Sequence, residues 1–135
     1  MDLFRLFFPV KNRTFPGKRW VRICMRTLHL IGTAGVGGGF LYGSPREAWI
    51  PYLILTVISG FGIFLIEVWT NGIWIIQIRG VAVLIKLALL SCLHFYQDWA
   101  TPALVLSIVI SGLISHAPGD VRYYSIFHRK KLYEL

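Results

Sequence analysis

From Trp49 to Trp69 the chain reads WIPYLILTVISGFGIFLIEVW, and Glu67 is the single charged side chain in it. An α-helix rises about 1.5 Å per residue, so about 20 residues cross a hydrocarbon core of about 30 Å. Backbone groups inside lipid must be satisfied within their own segment, so a run of this kind has to be helical. Three further apolar runs cover residues 23–42, 73–96 and 102–116. The expectation is an all-α fold: an integral membrane four-helix bundle in one domain. A basic interfacial segment over residues 1–22 precedes it, and a basic tail over residues 117–135 follows.

Composition decides the solvent. Of 135 residues, 56% are hydrophobic and 15% charged, and the mean hydropathy is +0.62. A soluble domain of this size leaves too much surface in water to hide so many apolar side chains. A net charge of +8 would suit nucleic acid, but the basic residues lie beside the apolar runs. Arg5, Lys11, Arg13, Lys18, Arg19, Arg22 and Arg26 lie before or at the start of the first run, and Arg122, Arg129, Lys130 and Lys131 follow the last. The outer connections carry Arg46 alone. Basic residues stay on the cytoplasmic side, so both termini are expected there, in a multi-pass protein of a bacterial inner membrane. The expected partners are anionic inner-leaflet lipids and other membrane subunits or a second copy, not nucleic acid. No small-residue cleavage site follows a short apolar core, so the first helix is expected to stay as an anchor.

Local signals agree with this layout. Trp20, Trp69 and Trp74 fall at the expected inner interface, Trp49 and Trp99 at the outer one, and Tyr123 and Tyr124 just inside. The opening DLFRLFFPV predicts a short turn with Leu3, Phe4, Phe7 and Phe8 on one face, stopped by Pro9. Thr70-Asn71-Gly72 predicts a tight turn. Gly43-Ser44-Pro45 and residues 98–101 make the outer connections, and Pro102 suits the first turn of the last helix. Cys24 and Cys92 fall near opposite faces, so no disulfide is expected.

Gly32, Gly35 and Gly39 share one helical face with His29 beside it, and Ser107, Ser111 and Ser115 recur every fourth residue. Small residues let helices approach closely. The same faces would also admit a flat cofactor between the first and last helices. Ionisable residues inside spans are functional candidates. His29 lies about one turn inside the basic edge, and His116 closes the last helix at similar depth. Glu67 and Arg79 flank the Asn71-Gly72 turn and are expected to pair. Lys86 has no acidic residue at its depth; it must snorkel, meet water or carbonyls, or bind an anion. His94 and Asp98 are expected at the outer interface.

Two neutral imidazoles can hold haem iron axially, and an arginine can pair with a propionate. His29 and His116 are the candidate iron ligands, with Arg79 and Glu67 completing a cofactor site for haem b; a quinone could use the same groups. No catalytic residue is assigned. Paired CxxC, a GK[ST] phosphate loop, HExxH and a nucleophile elbow are all absent from the sequence.

The phrases RTLHLIG and ISHAPGDVRYYS resemble small bacterial inner-membrane proteins of the four-helix copper-resistance (CopD-like) and membrane cytochrome b group. The resemblance implies a haem or metal role for His29 and His116; the second run lacks the histidine that the group carries in its spans. The expected function is a small membrane subunit or accessory protein binding haem b or quinone near the cytoplasmic face in electron transfer. The alternative is a non-catalytic structural or assembly subunit of a larger membrane complex. A reporter fused after Leu135 is expected to be active only on the cytoplasmic side; a periplasmic signal would overturn the even number of spans.

Overall fold

A computed structural model describes residues 3–92 and 97–132. The chain is mostly helical: α1 (Leu3–Phe7), α2 (Lys18–Leu41), α3 (Arg46–Thr70), α4 (Ile73–Ile76), α5 (Ile78–Cys92), α6 (Ala100–His116) and α7 (Gly119–Arg122). A short 3-10 turn, Gln97–Trp99, precedes α6, and two short strands, β1 (Tyr124–Ser125) and β2 (Lys130–Lys131), pair antiparallel. Thr14–Thr70 form one unit; Met1–Arg13 with Asn71–Leu135 form the other. Only α3 is both long and apolar enough to cross a membrane among the described residues; α6 is a shorter apolar helix.

The first unit is a helical hairpin. α2 stops because Gly43 takes φ +60, a left-handed conformation that glycine adopts without a Cβ clash. Ser44 N–H then bonds the Gly39 carbonyl at 2.9 Å, which closes a Schellman cap. α3 returns antiparallel, with Glu47 in its first turn where the helix dipole favours an anion. The two backbones approach closely because the glycine face lies between them. A Cβ on Gly32 would stand 2.3 Å from Thr56 Oγ1 and 2.8 Å from Thr56 N. One on Gly35 would stand 2.1 Å from Tyr52 Cγ, and one on Gly39 2.6 Å from Trp49 Cβ. Paired positions keep a nearly constant sum of residue numbers, as antiparallel helices require. The expectation that these glycines pack helices therefore holds. The slot they were to open for a planar cofactor is filled by α3.

The second unit departs from a simple helix pair. α5 and α6 pack together, but the expected continuous helix over 73–96 breaks at Gln77, which is extended with φ −79 and ψ 155. Gln77 is buried at 3% exposure, and its polar groups explain the break. Its side-chain Nε2 donates to the Leu132 carbonyl at 2.6 Å, and its backbone bridges to Ser125. A helical Gln77 would offer neither bond, and a buried amide without partners is costly. Its own carbonyl restarts the helix by accepting from Gly80 and Val81 N–H. Gly80 makes this possible, since a Cβ there would lie 2.1 Å from the Trp74 carbonyl oxygen.

The basic tail, expected to run along the membrane surface, is thus folded against the break. Ser125 is fully buried, Leu132 is 2% exposed, and Lys131 pairs with Asp120. The amino-terminal segment docks on the same turn: Phe7 carbonyl accepts Gly72 N–H at 2.8 Å, and the Asn71 amide donates to Asn12 Oδ1 at 3.0 Å. Asn71 Oδ1 accepts Ile73 N–H at 3.1 Å, the side-chain turn expected of Asn at this position. Trp74, expected at an interface, is buried instead, while Trp20, Trp69 and Trp99 are exposed.

The tight glycine joint makes a sharp prediction. Gly32→Ala is expected to destabilise the hairpin by about 1–3 kcal/mol through overpacking. Gly38→Ala, whose Cβ would meet nothing within 4 Å, is expected to be neutral. Unfolding in detergent micelles compares the two, and equal effects would contradict the packing.

Candidate functional site

The open end of the hairpin, away from the Gly43 turn, begins with an electrostatic problem. Lys18, Arg19 and Arg22 crowd the first turns of α2, where the helix dipole is already positive. The lysine ammonium is lowered from its ordinary 10.5, first by burial and then by the Arg22 charge, against an opposing pull from Glu67. Glu67 answers the crowding from α3. Its residue is 5% exposed, its carboxylate is ion-paired with the Arg22 guanidinium, and Arg26 stands 3.9 Å away. Arg22 and Arg26 lie four residues apart and so on one face, which explains why one carboxylate serves both. Around this network Thr14, Lys18, Arg19, Arg22, Ile23 and Arg26 line a basic groove of about 510 Å³.

The expected partner of Glu67 was Arg79; the partner found is Arg22. Arg79 lies in the other unit, where its Nε donates to Gln77 Oε1 at 2.7 Å and its guanidinium stacks over the Tyr123 ring at 4.7 Å. Sequence reasoning counted Arg22 only as an orienting charge. The missed signal was the hairpin register: folding the chain at Ser44-Pro45 and counting equal steps outward brings residue 22 beside residue 67.

One turn deeper, His29 reaches across to α3. Its Nδ1 donates to the Thr56 carbonyl at 3.0 Å and lies 3.3 Å from Ser59 Oγ. A carbonyl only accepts, so Nδ1 carries a proton, and in the neutral ring the lone pair is then on Nε2. Gly60 gives the ring its room, since a Cβ there would stand 2.9 Å from His29 Cε1. Ser59, 1% exposed, donates to the Leu55 carbonyl at 2.6 Å and so completes a buried polar joint.

The remaining candidates lie in the other unit. His116 is exposed at the C-terminal end of α6. Lys86, for which the sequence left four options, donates from Nζ to Ser111 Oγ at 2.8 Å. Ser111 in turn donates to the Ser107 carbonyl at 2.8 Å, and the buried Ser107 Oγ has no partner among the described residues. His128, expected to be unremarkable in the tail, has its Nδ1 3.2 Å from Ser125 Oγ. Asp98 is exposed as expected; His94 and the Cys92 side chain lie outside the described residues, and Cys24 is a free, exposed thiol.

Among the described residues no three His, Cys, Asp or Glu side chains gather into a group able to hold a metal ion. The arrangement does two things chemically. It neutralises a basic helix start with one buried carboxylate, and it fixes one imidazole in a single tautomer. No protein-family model, curated protein or solved structure matches the chain.

Removing the buried carboxylate tests the network. Glu67→Ala leaves Arg22, Arg26 and Lys18 facing one another and is expected to cost about 3 kcal/mol, as for other broken buried pairs. The double variant Glu67→Leu with Arg22→Met is expected to recover most of that loss. Unfolding curves in micelles give both values, and a neutral Glu67→Ala would show that the pair does not hold the hairpin.

Proposed function

We propose that the chain is a multi-pass membrane protein of a bacterial inner membrane, with both ends in the cytoplasm, acting as a non-catalytic accessory or structural subunit of a larger membrane complex. One observation carries the reading. The most apolar stretch of α3 is only 6% buried, so its outer side needs lipid or another protein to cover it. The side facing α2 is already used for the glycine joint. The exposed side carries Ile54, Val57, Ile58, Phe61 and Leu65, a run that water would not solvate well. The basic groove at the start of α2 suits the anionic headgroups of an inner leaflet.

A haem b or quinone near the cytoplasmic face is the second reading, and the His29 tautomer favours it. Ligating histidines commonly donate their other ring N–H to a carbonyl, as His29 does to Thr56. Haem would supply one-electron transfer; His29 and His116 are the residues that would hold its iron, and Arg79 and Glu67 would meet its polar edge. Glu67 and Arg79 already serve other partners, which places the weight on the subunit reading.

Purified after haem-replete expression, the protein is expected to resist alkaline extraction from membranes, to migrate with partner subunits on native gels, and to show no Soret band. A Soret band abolished by His116→Ala would establish the second reading over the first. Release by alkaline extraction would defeat both.

A further inference from the structure

Among the described residues, Lys86 is the one cation in the expected spans that neither reading explains. It sits in the middle of α5, eight residues beyond Ile78, in a helix whose other charged residue is Arg79 near its start. Its described partner is a neutral hydroxyl, Ser111 on α6. α6 contains no Asp or Glu, and neither does α5. The nearest acidic residue before α6 is Asp98, about 20 Å of helical rise from Ser111. Of the other described carboxylates, Glu67 is paired with Arg22 and Asp120 with Lys131, and Glu47 stands in the first turn of α3 in the other unit. A hydroxyl orients an ammonium but does not neutralise it, and charges inside a bilayer pair with one another or with backbone carbonyls, or face water.

The site is also reachable. Lys86 and Ser111 are half-buried, and Ile85, Leu87 and Ile108 on the same two helices are 47–53% exposed. Lys86 is therefore partly open along the α5–α6 seam, with exposed apolar side chains on the flanking faces. An occupant must be apolar along its length and anionic at one level. A second copy of this chain cannot supply that from α5 or α6, which lack acids, and its Glu67 lies three residues from the end of α3 and is already paired.

We propose that Lys86, held by Ser111, is the docking point for a membrane-spanning helix of a partner subunit that carries an Asp or Glu at matching depth. The inference rests on the membrane-subunit reading and names the partner chemistry at one face. Ser111 holds the Nζ on the α6 side, so the carboxylate completes its hydrogen bonds from the open side. The pairing specifies both the partner and its register, because a carboxylate one turn too high or low meets only hydrocarbon.

The test uses the full chain in its own membrane with Ile108→p-benzoylphenylalanine as a photocrosslinker. The expected result is one adduct whose crosslinked peptide is a membrane-spanning helix containing Asp or Glu. Adding Lys86→Met is expected to lower its yield roughly tenfold, the scale of one interhelical polar contact in lipid, while Lys86→Arg keeps it. Exchanging the charges, Lys86→Asp with the partner acid changed to Lys, should restore the adduct. Lys86→Met removes a charge from an apolar helix, so folding is not at risk, and protease protection of the α2–α3 hairpin checks it. An adduct only with phospholipid, only with a second copy, with a helix lacking an acid, or unchanged by Lys86→Met overturns the proposal, as does no adduct at all. An intact native complex in Lys86→Met would reject this docking point while leaving the subunit reading standing; release by alkaline extraction would reject the latter.

Discussion

The contact between the α2 and α3 backbones at Gly32, Gly35 and Gly39 governs the first unit. Those positions lack Cβ atoms, and any Cβ would fall inside Thr56, Tyr52 or Trp49. Close approach sets the register, and the register then decides every polar pairing along the hairpin. His29 falls opposite Thr56 and Ser59, and Arg22 falls opposite Glu67. In lipid, where apolar side chains gain little from meeting one another, such backbone proximity and polar contacts are the available sources of helix association. A one-turn slip would lose the glycine fit, the imidazole bond and the ion pair together.

The second unit is ordered by a different rule, the satisfaction of one buried amide. Gln77 interrupts an apolar helix and draws the tail onto the break through Leu132 and Ser125. Arg79 is then steered onto Tyr123 and the Gln77 carbonyl oxygen of the side chain. Asn71 does the same on the other side of the turn by binding the amino-terminal segment. Two uncharged polar residues thus gather segments from both ends of the chain around residues 71–77.

Polar groups divide into two kinds. Glu67, Gln77, Asn71 and Ser59 are matched by partners within their own unit, so their burial is compatible with stability. Lys86 is oriented but not neutralised. The matched groups build the fold, and Lys86 is the group for which we propose a partner beyond it.

The apolar runs, the turn at Asn71-Gly72, the Pro9 stop and the glycine face were legible in the sequence, because helical period, backbone freedom and hydropathy act over a few neighbouring residues. The helix that begins at Lys18 rather than near residue 23 was less so, since its first turns are basic and are sustained by Glu67 from forty-five positions away. The Glu67 partner, the break at Gln77 and the folded tail were decided only by the tertiary structure. Each depends on which distant group arrives within hydrogen-bonding reach, and local periodicity carries no record of that. By itself the sequence determined which segments are helical and which faces are small or apolar; the fold decided which polar groups were consumed in holding it.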